Sequence, residues 1–366
     1  MISTASSAGP LARVMICDDS AVIRSAIANM LGEHAQIQVV ARVANGEQAV
    51  AEVQRQMRTG TPIDVVLLDI EMPVMDGMKA LPILLRNDPK LRVVMASTLT
   101  TRGANIAMQA LRLGAADYLP KPSAADIADD SFRRELIAKV VGLARLRGRA
   151  APSAANATPI PPARPAPSQS PELLAIGSST GGPQALFTLI QGLGKAVPVP
   201  VVLTQHMPAT FVPILAEHLT RLGGMPCTAA QDGQALLPGH VYLAPGDRHL
   251  LVRGAVGALR ARITADPPEN FCRPAVDPML RSAAVACSGR ILVLMLTGMG
   301  QDGLLGTRAV VEAGGTAIAQ DEASSVVWGM PGAIARAGLC HQVLPLPAIA
   351  GRTLEIFRLP ARGMAA

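Results

Sequence analysis

Aromatic side chains are nearly missing: five Phe, two Tyr and one Trp make up 2% of the chain. Proteins that grip single-stranded nucleic acid stack bases on such rings, so that mode of binding is argued against. Charge is sparse as well, at 16% of residues. The formal net charge is +6, yet the basic residues are scattered and form no Lys/Arg block. Nucleic acid is therefore not the expected partner, whereas an acidic protein surface is compatible. The five cysteines, Cys17, Cys227, Cys272, Cys287 and Cys340, are odd in number and contain no C-x-x-C pair. Neither a disulfide framework nor a zinc site is expected, and a reducing cytoplasm fits. No apolar run approaches the ~20 residues of a membrane helix, so no membrane insertion is expected. Residues 1–12 are small and polar, without the features of a signal peptide, and read as a disordered tail.

What the chain does have is apolar residues, 49% of its 366 positions, in short runs that alternate with helical patterns. Val14–Ile16, Ile37–Val43, Val65–Leu68, Val93–Ala96 and Tyr118–Leu119 read as strands. Ala21–Leu31, Glu47–Met57, Met78–Leu85 and Ala104–Leu113 carry apolar residues at helical spacing. Five such units predict a doubly wound, flavodoxin-like parallel sheet over 13–148. Residues 149–171 are almost entirely Ala, Pro, Ser and Thr and read as a linker, extended but not rigid. From 172 to 366 the alternation resumes with longer units. It predicts a second, mainly parallel α/β domain with an antiparallel hairpin over Leu250–Ile263, turning at Gly254 and Gly257.

In the front half, Asp18 and Asp19 follow the first strand, Asp69 ends the third, Ser97 ends the fourth and Lys121 follows the fifth. All five fall on one edge of one sheet. Three carboxylates together repel unless a cation joins them. Oxygen ligands of this kind suit Mg²⁺. A phosphate arriving at Asp69 would meet that metal, the Lys121 ammonium and the Ser97 hydroxyl, which is the clamp phosphoryl transfer requires.

In the back half, Leu173–Ile176 runs into Gly177-Ser178-Ser179-Thr180-Gly181. This satisfies the G-x-S-x-G pattern of a nucleophile on a sharp strand-to-helix turn. A strand, glycines and a helix can equally cradle a phosphate or make a plain turn. His206 follows the apolar run Val199–Leu203. His34 and His218 sit in helical patterns and read as surface residues, His240 and His341 lie at strand starts, and His249 is near the hairpin. Two carboxylates follow apolar runs in the same manner, Asp302 after Ile291–Leu296 and Asp321 after Thr316–Ala319. Either could orient an imidazole, although the glycines around Asp302 favour it. The order serine, histidine, aspartate differs from that of the common α/β-hydrolases.

Both halves carry a family resemblance. Cys17-Asp18-Asp19-Ser20, Leu67 to Pro73, Met75-Asp76-Gly77, Ala96-Ser97 and Leu119-Pro120-Lys121-Pro122 occur in the order found in response-regulator receiver domains. The resemblance implies that Asp69 accepts phosphate from a histidine kinase and that Asp18, Asp19, Asp69 and the Glu71 carbonyl hold Mg²⁺. It also implies that Ser97 and Tyr118, with Lys121, form the receiver switch. Pro120 departs from the usual pattern. Ile176 to Gly182, Gln205-His206-Met207-Pro208, Leu296 to Gly303 and Ala319 to Pro331 resemble the chemotaxis protein-glutamate methylesterase catalytic domain.

That second resemblance implies a nucleophile at Ser179, a base at His206 and an orienting carboxylate at Asp302. It adds oxyanion donors at Thr180 and Met299. The implied enzyme is a cytoplasmic, phosphorylation-activated hydrolase. It removes methyl esters from glutamates of chemoreceptors, deamidates receptor glutamines, and needs no cofactor for the ester chemistry. The family more often has Ala where Ser178 stands, which makes Ser178 a rival nucleophile. The linker suggests that an unphosphorylated receiver covers the Ser179 crevice and that phosphorylation releases it.

Overall fold

The computed structural model describes residues 12–98, 100–121, 130–148, 161, 163–165, 167 and 170–359. Residues 1–11 of the expected tail and most of the expected linker lie outside the described residues, as do Pro122 and the last seven positions; Ala12, expected in the tail, is instead the buried first residue of a strand. The chain divides into two compact units, Met1–Ala151 and Pro152–Ala366.

In the first unit, five parallel strands are laid down in the order β2-β1-β3-β4-β5. They are β1 (Ala12–Cys17), β2 (Ile37–Val43), β3 (Val65–Asp69), β4 (Arg92–Ser97) and β5 (Asp117–Pro120). Every residue of β3 is buried, as a strand covered by helices on both faces must be. The helices Ala21–Gly32, Gly46–Arg58, Gly77–Asn87 and Thr101–Arg112 start on Ser20, Asn45, Asp76 and Thr100. Each of those side chains accepts a backbone N–H of the first turn, which satisfies a donor the helix itself cannot. In the following helix, Asp130–Gly148, Lys139 is buried. Its ammonium donates to the Tyr118 carbonyl at 2.5 Å and lies 3.2 Å from Asp117, which pins β5 just ahead of Lys121.

Gly77 opens a helix directly behind the end of β3. A Cβ there would stand 2.1 Å from the Asp69 carbonyl oxygen, a backbone atom that cannot swing aside. Gly77→Ala should therefore destabilise this unit by ~1–3 kcal/mol, the usual penalty for overpacking. A lowered urea midpoint of the isolated receiver is the check, and an unchanged midpoint would contradict the packing argument.

The second unit is built on seven parallel strands in the order β14-β13-β12-β6-β7-β9-β8. In chain order they are β6 (Leu173–Ser178), β7 (Val201–Gln205), β8 (Cys227–Ala229), β9 (Val241–Leu243), β12 (Ile291–Met295), β13 (Thr316–Gln320) and β14 (Gln342–Leu344). The predicted hairpin is β10 (His249–Arg253) with β11 (Arg260–Thr264), paired antiparallel. It packs on the helix Val276–Ala286, where Val252 N donates to Ser282 Oγ at 2.9 Å. One core cluster runs from the sheet (Ala175, Val202, Val293, Ala317) through that helix (Met279, Leu280) to the hairpin (Leu250, Val252).

Part of the expected linker is held against this unit. Arg164 N donates to the Cys340 carbonyl at 3.0 Å, and its own carbonyl meets His341 Nδ1 at 3.0 Å. The Ala/Pro composition concealed this because the linker's backbone groups make both of these hydrogen bonds.

Candidate functional site

β6 lies at the middle of the seven-stranded sheet, with β7 on one side and β12 on the other. The loops leaving these three neighbours therefore meet at one edge. The loop after β6 is the serine turn. Gly181 takes a left-handed backbone (φ 75°) to start the helix Gly182–Leu193. A Cβ on Gly182 would fall 1.9 Å from Gln205 Oε1, so glycine here leaves room for the Gln205 amide in its observed position. Ser178 is fully buried and donates to Gln205 Oε1 at 2.7 Å. That hydroxyl is occupied and shielded, which removes the ground for treating it as a rival nucleophile. Gln205 Nε2 in turn donates to the carbonyls of Ser179 and His206, each at 3.0 Å. One amide thus ties the serine turn to the histidine. Sequence reasoning quoted Gln205 in a motif but gave it no role. Its register opposite Ser178 exists only in the folded sheet.

His206 and Asp302, 96 positions apart, share a hydrogen bond from Nε2 to Oδ2 of 2.8 Å. Asp302 is almost wholly buried, at 2% exposure. Four further donors converge on it: Val276 N on Oδ2, and Asp277 N, Gly303 N and Asn270 Nδ2 on Oδ1, at 2.6–3.1 Å. Burial alone would raise this carboxyl, but the imidazole and the amides outweigh it and hold the group below the usual carboxylate range. Burial works against a charged His206 ring. The Asp302 bond and the Cys272 sulfur oppose that and push the ring up to about 10 from 6.5. Its other nitrogen, Nδ1, is 3.5 Å from Cys272 Sγ. Asn270 and Cys272 were not singled out from the sequence, because only the folded loop brings them to the dyad.

Among the described residues, the Ser179 hydroxyl makes no hydrogen bond. The structure thus bonds His206 to Asp302, and the serine turn is tied to His206 through Gln205. Ser179 N donates to the Thr297 carbonyl at 3.0 Å, and Thr297 Oγ1 donates to the Thr180 carbonyl at 2.9 Å. A Cβ on Gly298 would lie 2.9 Å from Ser179 Cβ, so the 297–299 loop runs against the serine turn. The Gly298 carbonyl is fixed by Gly329 N and Met330 N at 3.0 and 2.9 Å. Neither the Thr180 nor the Met299 amide donates to another of the described residues. Asp321, the alternative carboxylate, is elsewhere engaged: it accepts Ser324 N and Oγ at 2.8 and 2.6 Å. His218, expected on the surface, is buried and stacked on Phe187. His249 is buried in β10, accepting Ala275 N at 3.2 Å.

In the first unit, carboxylate oxygens of Asp18, Asp19 and Asp69 lie within 4.8 Å of one another. Lys121 Nζ donates to Asp69 Oδ2 at 2.6 Å and stands 3.4 Å from Asp18 Oδ2. That Asp18 oxygen is buried and accepts no hydrogen bond among the described residues. An all-oxygen donor set with one such atom fits a hard divalent cation. Burial, and the Asp18 charge, push Asp69 up to about 6 against the pull of Lys121. Asp69, Ser97, Thr98 and Lys121 line one small cleft. Ser97 Oγ turns to the Thr98 carbonyl at 3.1 Å rather than to Asp69. Tyr118 is buried, and the Glu71 amide donates to Asp69 Oδ1 at 3.3 Å.

Residues 174–353 match the family described as CheB methylesterase, and residues 14–130 match the response regulator receiver domain. A protein-glutamate methylesterase/protein-glutamine glutaminase 1 of Paramagnetospirillum magneticum is 52% identical over 92% of this chain and 94% of its own length. The protein-glutamate methylesterase/protein-glutamine glutaminase of Azospirillum brasilense is 51% identical over 94% and 93%. The solved CheB methylesterase catalytic domain of Thermotoga maritima is 39% identical. It covers 51% of this chain and 99% of its own, with a TM-score of 0.50. Two units in this order, with similarity over nearly the full length of such relatives, mean that the chain belongs to the family of receiver-linked chemotaxis protein-glutamate methylesterases/protein-glutamine glutaminases.

Proposed function

We propose that the chain hydrolyses γ-glutamyl methyl esters on chemoreceptors, and deamidates receptor glutamines, under the control of its receiver. The observation that carries this reading is the 2.8 Å bond between His206 and Asp302, set beside a serine turn in a chain of this family. Ser179 Oγ attacks the ester carbonyl and His206 takes its proton. Because Nε2 is committed to Asp302, Nδ1 is the nitrogen that receives the proton. Asp302 fixes the tautomer and stabilises the resulting imidazolium. The Thr180 and Met299 amides hold the oxyanion, an interaction worth ~3–4 kcal/mol where such a donor has been removed elsewhere. The imidazolium returns the proton to the departing methanol, or to ammonia from an amide, and water then frees the acyl-serine by the same route. None of these steps calls for a cofactor. Release of methanol from methylated chemoreceptor tests the reading, and its absence under phosphodonor would refute it.

The receiver's proposed phosphodonor is a histidine kinase, with Asp69 as acceptor. Asp18, Asp19, Asp69 and the Glu71 carbonyl would hold Mg²⁺, which neutralises charge developing on the transferred phosphoryl group. Lys121 pairs with the phosphorylated aspartate, while Ser97 and Tyr118 rearrange as the switch. Among the described residues no helix is long and apolar enough to cross a membrane, and a cytoplasmic site of action is proposed. Phosphorylation adds ~1.5–2 negative charges at Asp69. A small-molecule phosphodonor should therefore speed methanol release by the full chain and leave Asp69→Asn unchanged. Equal stimulation of both proteins would remove Asp69 from the control path.

A further inference from the structure

We propose that Phe271 and Leu305, with Arg248 and Arg273 beside them, form a rim that docks the substrate, and that its occupant is an amphipathic receptor face carrying glutamates around the esterified one. Phe271 is 95% exposed and Leu305 58%. The other phenylalanines of this unit, Phe187, Phe211 and Phe357, are buried. One carboxylate brings the two segments together. Buried Asp277 accepts Asn270 Nδ2 at 3.0 Å on Oδ2 and Gly306 N at 2.6 Å on Oδ1. Phe271 and Leu305 are adjacent in sequence to these two donors. The place where they leave the fold is the rim of the catalytic edge. Asn270 also donates to Asp302 at 3.1 Å, and Cys272 Sγ is 3.5 Å from His206 Nδ1.

Phe271 is kept outside at a cost. Asn270 and Phe271 both have a left-handed backbone, φ 52° and 62°. Asparagine tolerates that conformation, but a bulky side chain there is strained, and strain of this kind gathers at functional sites. A strained ring in water gives the fold nothing in return, whereas a partner that covers it gains the ring's burial, worth ~10- to 100-fold in affinity. The charges define the rest of the partner. Arg248 is exposed and Arg273 half-buried. Arg248 donates to the Asp247 carbonyl, and Arg273 to the carbonyls of Ala265 and Asp266. Neither forms an ion pair among the described residues. Asp247 N donates to the Arg273 carbonyl at 3.2 Å, which ties the two arginine segments together. A face that carries glutamates complements both cations, and ester hydrolysis itself leaves glutamates there. Docking on this rim brings the ester toward Ser179. The inference rests on the chemoreceptor substrate proposed above.

The test uses the full-length protein with a phosphodonor. It compares methanol release from methylated chemoreceptor with release from a small probe, the γ-methyl ester of an N-acetylated glutamate amide. Phe271→Asn suits the left-handed backbone, so its thermal midpoint should equal or exceed that of the wild type. The ratio of kcat/KM on receptor to kcat/KM on the small ester should nonetheless fall ~10-fold or more, chiefly through KM. Phe271→Trp, which restores an aromatic ring, should keep the ratio near that of the wild type. Arg248→Gln should lower the ratio and flatten its dependence on salt. An unchanged ratio in Phe271→Asn overturns the inference. So does an equal fall on both substrates, which a damaged site would give. So does a variant whose only change is a faster rate without phosphodonor, which would put the receiver on this rim. The wild type separates the two readings. If it leaves the receptor untouched, the proposed substrate is wrong and the rim loses its occupant. If it demethylates the receptor while Phe271→Asn keeps the ratio, only the docking inference is wrong.

Discussion

Replacing Ser179 with alanine should lower methanol release by as much as ~10⁶-fold, the scale seen when a triad nucleophile is removed. The fold should survive. Among the described residues the Ser179 hydroxyl makes no hydrogen bond, while its backbone N–H and carbonyl carry the contacts that shape the turn. The comparison is with Ser178→Ala. That change strands Gln205 Oε1, a buried acceptor, and should destabilise the protein by ~1–3 kcal/mol with a lesser effect on turnover. Steady-state rates beside thermal melts decide the matter. A Ser179→Ala enzyme that still turns over near the wild-type rate would return the nucleophile's role to an open question.

Asp302→Asn should cost ~10⁴-fold in rate, the loss associated with this carboxylate role in a serine hydrolase. The structure supplies the reason. Both oxygens of Asp302 face donors, Val276 N and His206 Nε2 on one and Asp277 N, Gly303 N and Asn270 Nδ2 on the other. An amide group must point its NH₂ at one of these sets, so either the ring or the loop loses its anchor. The pH profile separates orientation from simple unfolding. The carboxylate pushes His206 up, so its neutral, proton-accepting form grows as pH rises, and kcat/KM should climb through a limb displaced above 6.5. In Asp302→Asn that limb should move down toward the free imidazole value while the plateau collapses. A limb that stays put in the variant would show that Asp302 does not set the ring's proton affinity.

The sequence made the strands legible because parallel strands covered on both faces are written as short apolar runs. The turn of Gly177 to Gly181, and the positions of Asp18, Asp69, Ser97 and Lys121, followed from reading polar residues at strand ends. What stayed ambiguous was the carboxylate, since Asp302 and Asp321 each follow an apolar run. Strand order is what supports the proposed choice: β12, which delivers Asp302, lies next to β6, whereas β13, which delivers Asp321, lies one place further out. Neighbour order is a property of the folded sheet and no local pattern encodes it. Gln205, Asn270 and Cys272 escaped notice for the same reason. Each acts on a group from a distant segment, and none stands out by composition. His218 was misread because a helical pattern gives the face of a residue only when its neighbours are known, and here Phe187 covers it.

The His206 ring takes its bearing from a carboxylate that is itself moored to the amides opening the helix Val276–Ala286. The dyad is thus set by a loop and a helix entrance that lie outside the three strands supplying the chemistry. Natural drift or laboratory selection acting on Asn270–Ala275 could therefore retune the proton acceptor while every reacting side chain stays as it is.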